Sequence, residues 1–156
     1  MTCSNKNILL NGGFRQGLRP WEGKNIKRVQ NPVVSGDASL LLGSSSSEPS
    51  VLKQRIQTDH LESSCAYYLY FRLLNASPNQ YRPTIFATVV YFDSHGKWLR
   101  ATPLMITLPQ PKALRFSPYF TIVPSPPKGT RSISVVFSLN KGKVFVDYIR
   151  LASHKV

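Results

Sequence analysis

The chain has 156 residues, of which 42% are hydrophobic and only 17% are charged, with 12 prolines and 9 glycines. This length supplies one domain with a core of its own, and the composition is typical of a turn-rich β protein rather than a helical bundle or a disordered chain. Twenty Lys and Arg against seven acids give a net charge of +13, which attracts polyanions without selecting one. The basic residues are scattered and form no K/R-rich run, so we predict no sequence-specific nucleic-acid recognition.

Alternation of apolar and polar residues dominates the chain and predicts nine or ten strands bounded by Pro, Gly, Asn or Ser. In chain order these are Ile8–Leu10, Lys24–Gln30, Ser39–Leu42, Val51–Gln57, Ala66–Leu74, Thr84–Phe92, Trp98–Leu108, Leu114–Val123, Ser132–Leu139 and Val144–Leu151. The pattern predicts an all-β fold, a two-sheet antiparallel β-sandwich (jelly roll), as a single domain over residues 8–152. Residues 1–7 are polar and are predicted to form a flexible N-terminal arm.

Glycine-containing segments between the strands predict the turns. Asp93–Gly96 lies between two apolar runs and is typical of a hairpin turn, and Asn140–Lys143 has the same character before the last strand. The serine-rich run Gly43–Ser50 predicts a flexible loop. Helix is nearly absent, with at most one short turn over Thr58–Ser63.

Alternation also separates the two faces of the Ala66–Leu74 strand. One face is a predicted core stripe of Tyr67, Leu69, Phe71 and Leu73. The other carries Tyr68, Tyr70 and Arg72, which we predict to be an exposed row on the outside of a sheet. In Ser132–Leu139 the inward residues are Ile133, Val135, Phe137 and Leu139. The outward ones, Ser132, Ser134, Val136 and Ser138, are small enough to leave room for something to lie on that sheet.

Two cysteines, Cys3 and Cys65, are compatible with a bridge within the chain, with two free thiols, or with a bridge between subunits. No hydrophobic segment opens the chain and no apolar run approaches the length of a membrane span. We therefore predict neither a signal peptide in these residues nor a transmembrane segment.

Separated motifs give the chain a family resemblance. They are N-G-G-F at 11–14 followed by Trp21, S-G-D-A-S-L-L-L at 35–42, V-L-K-Q at 51–54, V-V-Y-F-D-S-H-G-K-W-L at 89–99, P-K-G-T at 127–130 and V-D-Y-I-R-L at 146–151. In this order they resemble the jelly-roll carbohydrate-binding modules of the galactose-binding-like superfamily. They also resemble the head domain that precedes collagen-like repeats in surface proteins of spore-forming bacteria. The resemblance implies an extracellular protein at a cell or spore surface.

The first of these families usually holds a structural calcium ion between the ends of the sandwich. The resemblance implies Asp147 and Asp37 as its carboxylate ligands, with backbone carbonyls of Asn11–Gly13 and Gly36 nearby. Calcium prefers six to eight oxygen ligands, several of them anionic. Arg15 departs from the pattern because a guanidinium opposes a bound cation. We therefore predict an ion pair between Arg15 and Asp147 in place of the metal.

No motif for catalysis occurs in the sequence. It contains no nucleophile elbow, phosphate loop, H-E-x-x-H or C-x-x-C. His60, His95 and His154 are far apart, and Asp59 and Glu62 beside His60 are interpreted as solvated charge rather than as a metal site. A glycosidase needs two carboxylates facing each other across a cleft, and no such pair can be nominated. We predict that the protein is not an enzyme.

Two functions fit these features. In the first, the exposed row binds a glycan: Tyr68, Tyr70 and Arg72 stack on and hydrogen-bond a sugar, Gln54 assists from a neighbouring strand, and Trp98 and Tyr81 line the rim. In the second, the chain is a structural, self-assembling surface subunit, and the same aromatic residues form the interface of a homo-oligomer. A third, less specific function is salt-sensitive adhesion to an anionic surface polymer.

Overall fold

The computed structural model describes residues 3–45, 48–57 and 61–155. Within these ranges the chain forms ten strands and no helix, and hence no helix that could cross a membrane. The strands are β1 (Glu22–Lys24), β2 (Ile26–Gln30), β3 (Ala38–Leu42), β4 (Ser50–Gln57), β5 (Ala66–Asn75), β6 (Thr84–Phe92), β7 (Trp98–Thr107), β8 (Ser117–Val123), β9 (Ser132–Leu139) and β10 (Val144–His154).

The strands form two antiparallel five-stranded sheets. One, called the β5 sheet, has the order β2-β3-β10-β5-β8, and the other, called the β6 sheet, has the order β1-β4-β9-β6-β7. Their inner faces enclose one hydrophobic core. Its largest fully buried side chains include Trp21, Tyr67, Tyr91, Phe14, Phe71 and Phe137. The predicted two-sheet β-sandwich is confirmed.

The N-terminal part of the chain differs from the predicted strands. Ile8–Leu10 is not a strand: only Asn7 forms a bridge, with Ala152, because the backbone N–H groups of Leu9 and Leu10 are bonded to side chains instead. The predicted strand Lys24–Gln30 is broken at Asn25, whose φ of 53° reverses the chain. Its two parts, β1 and β2, therefore belong to different sheets.

The two predicted hairpin turns have different outcomes. Asp93–Gly96 is a hairpin between β6 and β7: the Asp93 side chain accepts N–H groups of His95 and Lys97, and Gly96 has a φ of 77°. The prediction for Asn140–Lys143 is wrong, because β9 and β10 lie in different sheets and the turn crosses between them. Sequence cannot distinguish these cases, since both turns contain a left-handed glycine.

The predicted inner faces are confirmed. Tyr67, Leu69, Phe71 and Leu73 on β5, and Ile133, Val135, Phe137 and Leu139 on β9, are all buried. We predicted open space over the outer face of β9, and this prediction is wrong at the Ser132 end of the strand. There the Arg55 guanidinium donates to the Ser132 hydroxyl (Nε 3.2 Å, Nη2 2.9 Å) and lies 4.5 Å over the Phe92 ring.

Two predicted loops are only partly described. Residues 46–47 of the serine-rich loop and residues 58–60 of the predicted helical turn, including Asp59 and His60, lie outside the described residues. The remaining part of that turn, residues 61–63, is not helical.

A disulfide joins Cys3 to Cys65, with a Cα–Cα distance of 6.0 Å. Of the three alternatives left open by the sequence, the bridge within the chain is therefore the one present. Beyond the bridge, the Ser4 N–H contacts both carboxylate oxygens of Glu62 at 3.1 Å, and Asn7 pairs with Ala152. These contacts hold residues 3–7 along the side of the sandwich. The flexibility predicted for this arm stays a prediction.

Candidate functional site

The outer face of the β5 sheet carries a cluster of aromatic side chains that we call the aromatic platform. It consists of Tyr68 and Tyr70 on β5, Phe120 on β8 and Tyr148 on β10. Tyr70 is directly opposite Phe120 in the strand register. Phe120 is 63% exposed and Tyr148 is 48% exposed, whereas the two β5 tyrosines are half-buried. The predicted outward row of β5 therefore lies at the centre of a wider aromatic surface.

Arg72 holds two rings of the platform in place. Its guanidinium carbon lies 4.3 Å from the centre of the Tyr148 ring and 5.7 Å from that of Tyr70, which are cation–π distances. Its Nε donates to the Tyr70 hydroxyl at 3.2 Å. The two rings meet edge to face, with centres 5.9 Å apart and planes at 87°. Three side chains from two strands thus contact one another at one corner of the platform.

A β-bulge in β10 places Tyr148 on the outer face. The register between β10 and β5 shifts between Asp147 and Arg150, and Tyr148 has a φ of 53°. Such a φ is uncommon outside glycine and strained for a bulky residue. The bulge inserts an extra residue and re-aims a side chain, as bulges near functional sites do. Ile149 remains buried in the core while Tyr148 faces outward.

Sequence reasoning missed Tyr148 and Phe120. A signal for Tyr148 was present, because the apolar inward positions of β10, Val146, Ile149 and Leu151, are spaced by three residues and then by two. That break in the period of two indicates a bulge. Phe120 gave no comparable signal, since its exposure depends on β8 being the edge strand of its sheet.

The N-terminal arm forms one wall of a shallow hollow beside the platform. The Tyr68 hydroxyl donates to Asn5 Oδ1 at 2.8 Å and accepts from Arg150 Nε at 3.0 Å, and Arg150 also donates to the Asn5 carbonyl. The hollow has a volume of about 550 Å³. Its lining residues are Cys3, Asn5, Tyr68, Tyr70, Phe120, Ile122, His154 and Lys155.

The structure does not bring Gln54 to this site. Gln54 lies on β4, in the opposite sheet, so the prediction that it neighbours the tyrosine row is wrong. Its side chain is 2% exposed and bonds both backbone groups of Leu10, accepting its N–H and donating to its carbonyl, each at 2.8 Å. Gln54 therefore anchors the N-terminal segment in place of the strand pairing that was expected there.

Trp98 and Tyr81 do not border the platform either, and the prediction that they form its rim is wrong. Trp98 is 64% exposed at the start of β7, on the edge of the opposite sheet. Tyr81 lies in the loop between β5 and β6, at the other end of the sandwich, where Lys141 Nζ is 5.0 Å from its ring centre and the Asn75 amide donates to its carbonyl.

The residues implied as calcium ligands are engaged in other bonds. Asp37 accepts from Arg15 through Nε at 3.0 Å and Nη2 at 3.3 Å, so Arg15 pairs with Asp37 and not, as predicted, with Asp147. Asp147 instead accepts the Asn31 amide at 3.0 Å. The Asn11 carbonyl already accepts two N–H groups, from the Phe14 backbone and the Trp21 indole. Because one carboxylate is neutralised and the other bonded to an amide donor, these groups do not fit calcium.

One further group of potential metal ligands occurs in the described ranges. Cys3, Cys65 and Glu62 place their ligand atoms within 4.8 Å of one another. Both sulfurs form the disulfide, so neither is a thiolate ligand.

Burial of Asp147 beneath the platform shapes its ionisation. Removal from solvent, helped by the negative charge of Asp37, raises the pKa of Asp147 to about 6. The opposing effects come from the Tyr148 backbone N–H, the nearby Arg72 cation and the Asn31 amide, each of which lowers this pKa. The folded protein therefore binds a proton at the Asp147 carboxyl more tightly than the unfolded chain does. The contribution of this proton to the free energy of unfolding is fully present below about pH 4 and is lost as the pH rises through 6.

Asp147→Asn should remove this loss of stability. One pKa unit corresponds to about 1.4 kcal/mol, so the difference in unfolding free energy between the two proteins should change by about 1–3 kcal/mol from pH 4 to pH 7, in favour of the variant at the higher pH. Urea unfolding of both proteins at several pH values measures this difference. A constant difference across that range would show that Asp147 titrates normally.

No protein-family model matches the chain, and no curated protein matches it in sequence. Solved structures do. The chain is similar to a part of the enzymatically active domain of tailspike protein 4 of bacteriophage CBA120 (TM-score 0.71, 17% identity), and the match covers 94% of this chain and 21% of that one. It is also similar to a family 61 carbohydrate-binding module in complex with β-1,4-galactotriose (TM-score 0.67, 18% identity; 96% and 99% covered). A third is the C-terminal family 22 module of Clostridium thermocellum Xyn10B (TM-score 0.70, 12% identity; 98% and 96% covered).

At these identities the similarity establishes the fold. The chain has the jelly-roll β-sandwich of the carbohydrate-binding modules of families 16, 22 and 61, which it matches over nearly its whole length. A shared fold does not by itself assign a ligand, which must be argued from the site.

Proposed function

We propose that the chain is a non-catalytic module that binds a glycan on the outer face of its β5 sheet. The observation that carries the proposal is the aromatic platform, in which rings from three adjacent strands are exposed or half-exposed on one surface. Sugars present apolar C–H faces that stack on aromatic rings and hydroxyl groups that bond polar side chains. Arg72 lies against two of these rings and supplies such a polar group.

The strained bulge supports this proposal. A tyrosine at a φ of 53° costs about 1–3 kcal/mol, and Tyr148 is 48% exposed, so its ring adds little to the core. Strain retained at a surface aromatic residue is expected where that residue binds something. Because the other members of the fold class include modules described as binding galactotriose and xylan, a glycan is the ligand class that we favour.

A second candidate is a self-assembling surface subunit. Phe120 and Ile122 are exposed at 63% and 48% on the edge strand β8, beside the platform. An exposed aromatic surface at an open sheet edge is also typical of a subunit interface. In this alternative the platform is covered by a second copy of the chain, and the spore or cell surface is the site of assembly. The net charge of +13 supports attachment to an anionic surface polymer in either case.

Affinity gel electrophoresis of Tyr148→Ala tests the proposed function. Loss of a stacking face should weaken retention by a polysaccharide about tenfold or more, equivalent to about 1.4 kcal/mol, with the sandwich still folded. Phe86→Ala is the matched control, because Phe86 is a 42%-exposed aromatic residue of β6, in the opposite sheet. Retention that falls equally in both variants, or in neither, would place the site elsewhere. A sizing column on the same proteins separates the second candidate, which requires the platform variant to become monomeric.

A further inference from the structure

The platform has an unequal supply of hydrogen-bond donors and acceptors. Arg72 and Lys155, beside the platform, can only donate hydrogen bonds. The Tyr70 hydroxyl oxygen already accepts from Arg72 and keeps its own proton for an outside partner, and the Tyr148 hydroxyl can donate or accept. Two acceptors of the hollow are not open to a ligand: Asn5 Oδ1 is already bonded to Tyr68, and His154 Nε2, whose ring faces the Lys155 carbonyl through Nδ1, is buried. No carboxylate lines the part of the hollow that the structure describes. A neutral sugar needs acceptors for its hydroxyl protons, so this surface is better matched to a ligand that is rich in acceptors.

Arg72 also has unused bonding capacity. Its Nε is bonded to Tyr70, while the described residues supply no acceptor for its two terminal nitrogens. Those nitrogens form a planar fork that matches a carboxylate in a bidentate geometry. Arg150, by contrast, is occupied by Tyr68 and Asn5. Arg72 therefore combines a fixed position, against two aromatic rings, with a free donor pair.

The local charge agrees with this chemistry. Arg72, Arg150 and Lys155 lie on or beside the platform, and the acidic residue next to them, Asp147, is only 8% exposed and bonded to Asn31. Asp147 reduces the charge of Arg72, its neighbour in the strand register, but leaves a net positive surface. A single buried carboxylate also cannot replace the exposed acceptors that a neutral sugar requires.

We infer that the ligand of the aromatic platform is an acidic polysaccharide whose sugars carry carboxylates, with the rings stacking on the sugar and Arg72 binding the carboxylate. This inference rests on the proposed glycan-binding function and specifies its ligand class. It distinguishes the site from simple polyanion attraction, because a bare chain of phosphates or sulfates lacks the combination of a pyranose face and a planar carboxylate.

The test compares acidic polysaccharides with their neutral counterparts. Polygalacturonate, alginate and polyglucuronate, each paired with its methyl ester, are used in affinity gels at about 0.5 M NaCl, where exposed charges are screened within a few ångströms. At least one acid form should bind the protein ten times or more as tightly as its ester. Dextran sulfate and DNA are included as polyanions without a carboxylate sugar and should be bound weakly at this salt concentration.

Substitutions assign the effect to Arg72. Arg72→Lys keeps the charge that faces Asp147 but removes the planar fork. It should lose at least tenfold in affinity for the acid form and much less for the ester, whose loss reports only the displaced rings. Arg72→Gln should lose as much or more for the acid form. Arg82→Gln removes the same charge from the exposed loop between β5 and β6 and should change the affinity less than twofold. Thermal melts establish that each variant is folded, and the acid–ester comparison on the unmodified protein does not depend on any variant.

The outcomes separate the inference from the function on which it rests. Equal binding of the acids and esters overturns the inference and leaves glycan binding in place. Equal binding of dextran sulfate or DNA, or equal losses in Arg72→Lys and Arg82→Gln, also overturns it, since general charge attraction then accounts for the binding. If neither the acids, the esters nor the neutral polymers galactan and xylan are bound, the proposed function itself is wrong.

Discussion

Replacement of both cysteines, Cys3→Ser with Cys65→Ser, should lower the free energy of unfolding by about 4 kcal/mol. The disulfide spans 62 residues, almost the whole first half of the chain. A cross-link of this length removes a large part of the conformational freedom of the unfolded state. Because native domains have only about 5–15 kcal/mol of stability, the loss should be obvious in urea unfolding.

The same change should weaken the wall of the hollow, because Asn5 lies two residues from Cys3 and is bonded to Tyr68 and Arg150. Ser4→Ala is the control: it removes a hydroxyl within hydrogen-bond distance of Ser153 and Lys6 but leaves the cross-link intact. Both contacts are long, at 3.5 and 3.3 Å, so their loss should cost no more than about 1 kcal/mol. A double-serine protein as stable as the parent would contradict the view that the cross-link stabilises the fold by restricting the unfolded chain.

Phe71→Ala should cost about 3–5 kcal/mol, whereas Tyr70→Ala, one residue away, should cost only about 1 kcal/mol. Phe71 is fully buried, stacks on Tyr119 at 6.0 Å and meets Phe137 edge to face at 5.1 Å between ring centres. Truncation therefore leaves a cavity between the sheets. Tyr70 is half-buried on the outer face, so its truncation opens no cavity between the sheets and removes surface contacts such as those with Tyr148 and Arg72.

The pair of variants also tests the face assignment, on which the functional proposal depends. Urea unfolding gives the two free energies, and glycan retention is measured on both proteins under conditions in which each is folded. Tyr70→Ala should lose retention while remaining stable, and Phe71→Ala should keep retention while losing stability. Equal costs at both positions would mean that Tyr70 is part of the core, which would remove it from any binding surface.

Sequence periodicity predicted the sandwich and the two faces of β5 because alternation is a local property of each strand. It could not predict the sheet to which a strand belongs. Gln54 is the clearest example: alternation located β4, but only the tertiary arrangement shows that β4 pairs with β1 and β9 and turns Gln54 inward. The predictions for Trp98 and Tyr81 were wrong for the same reason, since these residues lie on different elements and the topology sets the distance between those elements.

Other differences arise from local backbone geometry. The left-handed conformations of Asn25 and Tyr148 divide one predicted strand and insert a bulge into another. Asparagine enters this conformation readily, but tyrosine does not, so the bulge at Tyr148 must be enforced by the surrounding strands. The prediction that Arg15 forms an ion pair was correct, but the partner was wrong: Asp37 is half-buried and within reach, whereas Asp147 is buried and bonded to Asn31.

Mapping of NMR chemical-shift changes on the folded protein should locate the bound glycan on the outer face of the β5 sheet. Oligosaccharides of galacturonate, and of neutral galactose and xylose as the comparison, are titrated into the labelled protein. We predict that the shifted amide signals cluster on β5, β8 and β10 around Tyr70, Phe120 and Tyr148, with the N-terminal arm near Asn5 included. Shifts that cluster instead on the outer face of the opposite sheet, around Phe86 and Val136, would show that the aromatic platform is not the glycan-binding surface.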